Sequence, residues 1–149
     1  MTFIFLIYVL VKIREIPESL SSTYYLLGSR GWLFQMYIAF LTIALFPVWF
    51  SVTGESLKFL SFLACSALIF VSSAPQFRLR VDGIVHYGAA AIGGLCAVLW
   101  LLLTDNSWSL VMSTPLLVPI FLLPKKYMLF LEIAIIFALE LSLLAYILR

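Results

Sequence analysis

Residues 31–53 read GWLFQMYIAFLTIALFPVWFSVT and contain no Asp, Glu, Lys, Arg or His. A helix that crosses the hydrocarbon core of a bilayer needs about 20 consecutive, mostly apolar residues. The apolar residues here form a continuous run and do not alternate with polar ones, which favours a helix over a strand. This stretch therefore predicts a transmembrane helix.

Five further apolar blocks flank this one, separated by charged and turn residues. They cover residues 2–13, 57–75, 81–103, 107–123 and 127–148. Pro115 and Pro119 predict a kinked or broken fifth helix, because proline removes a helical hydrogen bond. We therefore predict an all-α fold: one domain over residues 1–149, an integral membrane bundle of six transmembrane helices. The number falls to five if the short first block lies at the membrane interface.

The composition agrees with a membrane protein. Apolar residues make up 64% and charged residues 11% of the chain, against about 45–50% and about 25% in soluble domains. One small core could not bury that much apolar surface, so lipid must solvate most of it. The net charge of +2 is too small to indicate a nucleic-acid partner.

The basic residues predict the orientation. Seven of the nine Lys and Arg lie in the connections 12–30, 76–82 and 124–126, and only Lys58 and Arg149 fall on the other side. The positive-inside rule then places these three connections in the cytoplasm and the C-terminus outside. Whether residues 2–13 cross the bilayer stays open, because no basic residue precedes them. Three tryptophans would form an aromatic belt near the outer interface: Trp49, Trp100 and Trp108.

The connection between the first two blocks predicts a short amphipathic helix along the inner interface. Pro17 suits its first turn and Gly28 suits its C-terminal cap. Leu20, Tyr24 and Leu27 would share its apolar face.

Polar residues within the apolar blocks are the candidates for a functional site, because a charge at mid-membrane is disfavoured by about 2.5–3.5 kcal/mol on insertion scales. Asp82 and His86 are four residues apart and share a helix face. Small residues continue that face, so we expect it to point into the bundle: Ala90, Gly93 and Ala97.

Depth groups several of these side chains. His86 and Glu132 each lie six residues past a basic residue, Arg80 and Lys126 respectively, which is about 9 Å at 1.5 Å per residue. We therefore predict one polar site below the inner headgroups: Glu18, Ser19, Ser21, Gln35, Asp82, His86 and Glu132. The alternative is that Asp82, His86 and Glu132 make only structural contacts between helices. Glu140 lies deeper and is a separate intramembrane acid.

No cofactor is expected, since the chain has one histidine, no Cys pair at ligand spacing and no Gly-rich phosphate loop. A divalent metal, if one binds, would take Asp82, His86 and Glu132 as ligands.

Two short stretches resemble a known superfamily. Residues 16–25 read IPESLSSTYY, and FVSSAP at 70–75 leads into VDGIVH at 81–86. They resemble uncharacterised bacterial membrane families allied to the CREST superfamily, which includes the alkaline ceramidases. The resemblance implies a bacterial inner-membrane location and a metal-dependent lipid amidase, with Ser19 or Ser21, Asp82 and His86 matching the Ser, Asp and first His of that family. Its C-terminal histidine pair is missing here, and Glu132 stands in that region.

Three functional hypotheses follow. The first is a non-catalytic membrane protein that binds membrane lipids, another membrane protein or a second copy of itself through the bundle. The second is a CREST-like metal-dependent lipid hydrolase at the inner leaflet, so whether the chain is an enzyme stays open. The third is a small transporter or channel, suggested by Glu132, Glu140 and the broken fifth helix.

Overall fold

The protein is all-helical in a computed structural model that describes residues 2–148. Eight α-helices occur in these residues: α1 Thr2–Ile13, α2 Thr23–Leu26, α3 Trp32–Val52, α4 Lys58–Ser73, α5 Arg80–Leu103, α6 Ser107–Ser113, α7 Pro119–Leu122 and α8 Tyr127–Ile147. Short 3-10 turns join several of them: Gly28–Arg30, Glu55–Leu57, Thr114–Leu117 and Pro124–Lys126. The all-α prediction is confirmed.

Four helical segments are long and apolar enough to cross a membrane, fewer than the six predicted: Gly28–Val52, Glu55–Ser73, Arg80–Leu103 and Pro124–Ile147. The remaining two apolar blocks form shorter helical segments, Thr2–Ile13 and Ser107–Leu122. The second of these is broken, as its prolines predict. A 3-10 turn containing Pro115 separates α6 from α7, which begins at Pro119.

Helix α1 has 12 residues, about 18 Å of helix against a hydrocarbon core of about 30 Å. Its first described residue, Thr2, contacts Glu140, which lies well inside α8. Residues 2–13 therefore cover part of the length of α8. Met1 and Arg149 lie outside the described residues, so the predicted location of the C-terminal residue is not described by the structure.

The bundle core lies between α3, α4, α5 and α8. Helix α4 packs between α3 and α5, and α8 contacts α6, α5, α3 and α1. The α4–α5 interface uses the small-residue face as predicted. Gly93 and Ala97 are buried, and a Cβ atom added at Gly93 would lie 3.3 Å from the Cβ of Ala67.

Two ends of the bundle can be distinguished. At the end that we call the basic end, residues 14–30, 76–80 and 124–126 come together: the Leu129 amide donates to the Glu18 carbonyl at 3.1 Å, and the Arg78 amide donates to the Tyr25 hydroxyl at 3.0 Å. At the opposite end, the far end, Asn106 lies 3.4 Å from the Tyr146 hydroxyl. Residues 107–122 therefore return the chain from the far end to the basic end.

The predicted tryptophan belt is only partly correct. Trp49 and Trp100 lie in the far half of the bundle, but both are fully buried and their rings pack edge to face with centroids 5.6 Å apart. The Trp100 indole donates to the Thr53 hydroxyl at 2.8 Å. Of the three, Trp108 is the one with an exposed side chain. Trp49 and Trp100 therefore pack between helices, whereas the aromatic-belt prediction placed them at the membrane interface.

Candidate functional site

Residues 14–31 fold across the basic end as a cap rather than as the predicted amphipathic helix. Only Thr23–Leu26 is α-helical, and Gly28 ends it with a φ of +56°, as the capping prediction required. Pro17 and Leu20 are buried in the bundle instead of starting a surface helix. Burial of apolar side chains against α3 and α8 thus decides the conformation of this segment. We call residues 14–31 the cap segment.

Glu132 holds the cap segment to α8. Its Oε2 accepts a hydrogen bond from the Leu20 amide at 2.7 Å. One turn earlier on α8, the Leu129 amide donates to the Glu18 carbonyl. Since Leu20 is almost fully buried, this carboxylate satisfies a backbone amide that water cannot reach.

The predicted serines stabilise the cap segment locally. The Ser19 hydroxyl accepts from the Ser22 amide at 3.0 Å, and the Ser22 hydroxyl accepts from the Ser19 amide at 3.1 Å. Ser21 is buried, and its carbonyl accepts from the Tyr24 amide. Such reciprocal bonds are typical of turns and helix starts, not of activated nucleophiles.

His86 joins α5 to the end of α4. Its Nδ1 lies 2.9 Å from the Ala74 carbonyl, so Nδ1 carries the proton and donates. The imidazole is 1% exposed and lies 4.8 Å, centroid to centroid, from the Phe77 ring. The inward placement of His86 is confirmed, but its hydrogen bond goes to backbone rather than to Asp82.

Asp82 lies in the first turn of α5, where a carboxylate interacts favourably with the positive end of the helix dipole. Gln35 belongs to a different contact: its side-chain amide donates to the Ser72 carbonyl at 3.2 Å, and the Ser72 hydroxyl donates to the Gln35 carbonyl at 3.1 Å. This reciprocal pair links α3 to α4.

The structure does not gather the predicted site residues into one cluster. Within residues 2–148, no three His, Cys, Asp or Glu side chains are grouped so that they could hold a metal ion. Asp82, His86 and Glu132 instead take part in separate contacts: a helix N-terminus, a backbone carbonyl of the α4 end and the Leu20 amide. Equal depth along two helices does not place side chains on facing sides.

A polar pocket of about 170 Å³ opens at the basic end. Its walls come from the cap segment, the α4–α5 connection and the start of α8: Glu15, Ile16, Pro17, Glu18, Ser22, Leu26, Arg78 and Lys126. We call this the basic-end pocket. Of its residues, only Glu18 is among the predicted site residues, because the charge pattern of the sequence marks Arg78 and Lys126 only as orientation signals.

Tyr25 positions Arg78 at the basic-end pocket. The guanidinium carbon lies 4.2 Å above the Tyr25 ring centroid, a cation–π contact, and the Arg78 amide donates to the Tyr25 hydroxyl. Phe77 also packs against Tyr25, with the two ring centroids 5.0 Å apart. The cap segment and the α4–α5 connection are therefore fixed to each other.

Glu140 forms a second polar site, away from the basic end. Its Oε1 accepts a hydrogen bond from the Thr2 hydroxyl at 2.9 Å, and the Thr2 hydroxyl accepts one from the Tyr37 hydroxyl at 3.0 Å. Tyr37 is also stacked on Phe5, with ring centroids 4.3 Å apart. These contacts join α1, α3 and α8.

No family model, curated protein or solved structure matches the chain. The resemblance to CREST-allied families therefore stays a prediction from two short stretches.

Proposed function

We propose that the protein is an integral membrane protein with five crossings, formed by α3, α4, α5, residues 107–122 and α8. Four segments are long enough by themselves, and residues 107–122 connect the far end of α5 to the basic end of α8. The 3-10 turn Thr114–Leu117 in that segment adds rise per residue, since a 3-10 helix rises about 2.0 Å per residue. Helix α1 runs from the basic end as far as Glu140, against which Thr2 packs.

The basic end faces the cytoplasm in this proposal, with the bacterial inner membrane as the expected location. Cysteine accessibility tests the orientation cleanly, because the native Cys65 and Cys96 are buried. In intact cells, a membrane-impermeant maleimide should label Ser56→Cys and Ser107→Cys at the far end. Ser29→Cys and Gln76→Cys should react only after the membrane is permeabilised. The reverse pattern would show that the orientation is wrong.

The function that the site supports best is non-catalytic binding of a phospholipid headgroup at the basic end. The observation that carries this proposal is the basic-end pocket, where Arg78 and Lys126 line the same small cavity as Glu15 and Glu18. Its volume of about 170 Å³ is below the roughly 300–1,000 Å³ of pockets that enclose a whole small molecule. A headgroup would fill it while the acyl chains remain outside.

The charges in the pocket are available to a ligand. Among residues 2–148, no ion pair within 4 Å joins Glu15 or Glu18 to Arg78 or Lys126. Arg and Lys at the membrane surface bind lipid phosphates through charge-assisted hydrogen bonds. Two carboxylates beside them favour a headgroup that also carries an ammonium group. Phosphatidylethanolamine has both charges, and its primary ammonium group can donate hydrogen bonds to the carboxylates, which the quaternary group of phosphatidylcholine cannot.

The apolar rim of the pocket fits the same ligand. Ile16 and Leu26 line the pocket and are 40% and 42% exposed. The acyl chains beside a bound headgroup would contact such exposed apolar side chains at the edge of the pocket. Leu79, which follows the pocket residue Arg78 in the chain, is also exposed.

Lipid retention in native mass spectrometry tests the function. The purified protein should retain phosphatidylethanolamine in preference to phosphatidylglycerol and phosphatidylcholine. The double variant Arg78→Gln/Lys126→Gln should lose retention severalfold, because it removes both phosphate donors. The matched control, Arg80→Gln/Lys125→Gln, removes two neighbouring charges that do not line the pocket and should behave as the wild type. Equal losses in both variants would show that general surface charge, not the pocket, binds lipid.

The hydrolase hypothesis has less support than lipid binding. A hydrolase needs a nucleophile that lies within reach of a base or of a metal ion. Here Ser19 is bonded to Ser22, and His86 is bonded to the Ala74 carbonyl. The lipid-binding proposal requires neither a nucleophilic serine nor a catalytic histidine.

A further inference from the structure

A second group of cations lies at the basic end, outside the basic-end pocket. Lys12 is in the last turn of α1, Arg14 follows that helix, and Arg30 comes just before α3. All three residues are exposed, and none of them lines the pocket. Within residues 2–148, no ion pair within 4 Å joins any of them to a carboxylate. We call these three residues the cation cluster.

Contacts between α1 and α3 bring the cluster together. The two helices run in opposite directions, and the Phe5 ring is stacked on the Tyr37 ring with centroids 4.3 Å apart. One turn nearer the basic end, the Tyr8 hydroxyl accepts a hydrogen bond from Nη1 of Arg30 at 3.4 Å. Lys12 lies one further turn along α1, on the same face as Tyr8. The end of α1 and the start of α3 therefore present positive charge to the same part of the surface.

The backbone at Arg14 is strained. Its φ is +59°, in the left-handed region that favours glycine. Its amide donates to the Leu10 carbonyl at 2.8 Å, so Arg14 ends α1 at a position where glycine is the usual residue. Strained residues of this kind are concentrated at functional positions. The property that arginine adds there is its charge.

The surface below the cation cluster is apolar on both helices. Trp32, Met36 and Phe40 lie at successive turns of α3, and all three are exposed. On α1, Ile4 lies one turn deeper than Tyr8 and is 75% exposed. Trp and Tyr side chains are typical of the headgroup level of a membrane, and acyl chains pack on apolar surface below it. This arrangement fits a lipid better than a free phosphate ion.

We propose that the cation cluster binds cardiolipin, a lipid whose headgroup carries two phosphates. Three cations complement two phosphate charges, and no carboxylate pairs with them. Basic surfaces between helices on the cytoplasmic side of a membrane bind such headgroups. Lys12 and Arg30, the latter held at Tyr8, contact the phosphates through charge-assisted hydrogen bonds. This inference rests on the proposed placement of the bundle in a membrane, but not on which lipid occupies the basic-end pocket.

Competition between lipids in native mass spectrometry tests the proposal. From detergent micelles that contain equal amounts of cardiolipin and phosphatidylethanolamine, the wild type should retain cardiolipin. Lys12→Gln/Arg30→Gln should retain severalfold less of it. Two other double variants remove the same number of charges at the same end of the bundle and should retain cardiolipin as the wild type does: Arg78→Gln/Lys126→Gln and Arg80→Gln/Lys125→Gln. Retention of phosphatidylethanolamine reports on the basic-end pocket in the same spectra, so failure of one proposal can be told from failure of the other.

Arg14→Gly separates the loss of charge from a loss of folding. Glycine relieves the strain at a φ of +59°, so the midpoint of thermal unfolding of this variant should be no lower than that of the wild type. Its retention of cardiolipin should nevertheless fall severalfold. Arg14→Gln, which removes the charge and keeps the strain, should lose cardiolipin to the same extent.

The proposal is overturned if Lys12→Gln/Arg30→Gln or Arg14→Gly retains cardiolipin as the wild type does. Equal losses in all three double variants would also overturn it, because general surface charge would then explain the binding.

Discussion

Gly93→Leu is expected to prevent the folded bundle from accumulating. An added Cβ atom at Gly93 would lie 3.3 Å from the Ala67 Cβ and 3.6 Å from the Ala64 carbonyl oxygen, and leucine adds three further carbons. Overpacking of a tight core costs about 1–3 kcal/mol or more, which exceeds the gain of about 0.8–1.0 kcal/mol from replacing a helical glycine. Small residues at such interfaces are what let transmembrane helices approach closely.

The measurement is the yield of monodisperse protein in detergent, together with the midpoint of thermal unfolding. Gly88→Leu is the matched control, because the same helix has nothing within 4 Å of a Cβ added there. The yield and the unfolding midpoint of Gly93→Ala should lie between those of Gly93→Leu and Gly88→Leu. Equal behaviour of Gly93→Leu and Gly88→Leu would mean that α4 does not pack on α5 at this position.

Glu132→Ala is expected to release the cap segment. The change removes the acceptor of the Leu20 amide, which lies 2.7 Å from Oε2 beside a side chain that is 3% exposed. A hydrogen bond contributes about 0.5–1.5 kcal/mol, and a buried amide left unsatisfied costs about 1–3 kcal/mol. We therefore expect a large loss of local stability in residues 14–31.

Hydrogen exchange followed by mass spectrometry measures this effect. In Glu132→Ala, peptides covering residues 17–27 should exchange much faster than in the wild type, while peptides of α4 should not change. Glu132→Gln keeps an acceptor oxygen and should restore most of the protection. If the alanine variant protects the cap segment as the wild type does, the Glu132–Leu20 bond does not hold the segment in place.

The helix bounds were largely predictable from the sequence. Charged and turn residues interrupt the apolar blocks, so the predicted block 127–148 corresponds to α8 Tyr127–Ile147, and the block 81–103 to α5 Arg80–Leu103. Hydropathy does not predict how far a block reaches across a bilayer. Residues 2–13 and 107–123 met the apolar criterion but form short or broken helices.

The site was less predictable because depth along a helix fixes no direction around it. His86 and Glu132 lie at similar depth, yet one bonds to the end of α4 and the other to the cap segment. Helical periodicity also suggested an amphipathic helix at Leu20 and Leu27. Burial of these side chains in the bundle determined the conformation instead.

The basic-end pocket could not be found from local patterns. Glu15, Arg78 and Lys126 are far apart in the chain and come together only when the cap segment folds across the basic end. In the sequence, these residues appear only as charges near helix ends. Such charges are sufficient to predict membrane orientation, but they do not indicate which of them share a cavity.

A crystal structure grown in a lipidic mesophase that contains phosphatidylethanolamine tests the lipid-binding proposal most directly. We expect headgroup density in the pocket, with the phosphate within hydrogen-bonding distance of Arg78 and Lys126 and the ammonium group facing Glu15 or Glu18. The opposite result would be ordered lipids elsewhere around the bundle and a pocket closed by direct pairing of these acids with these bases. That result would contradict phospholipid binding at the basic end.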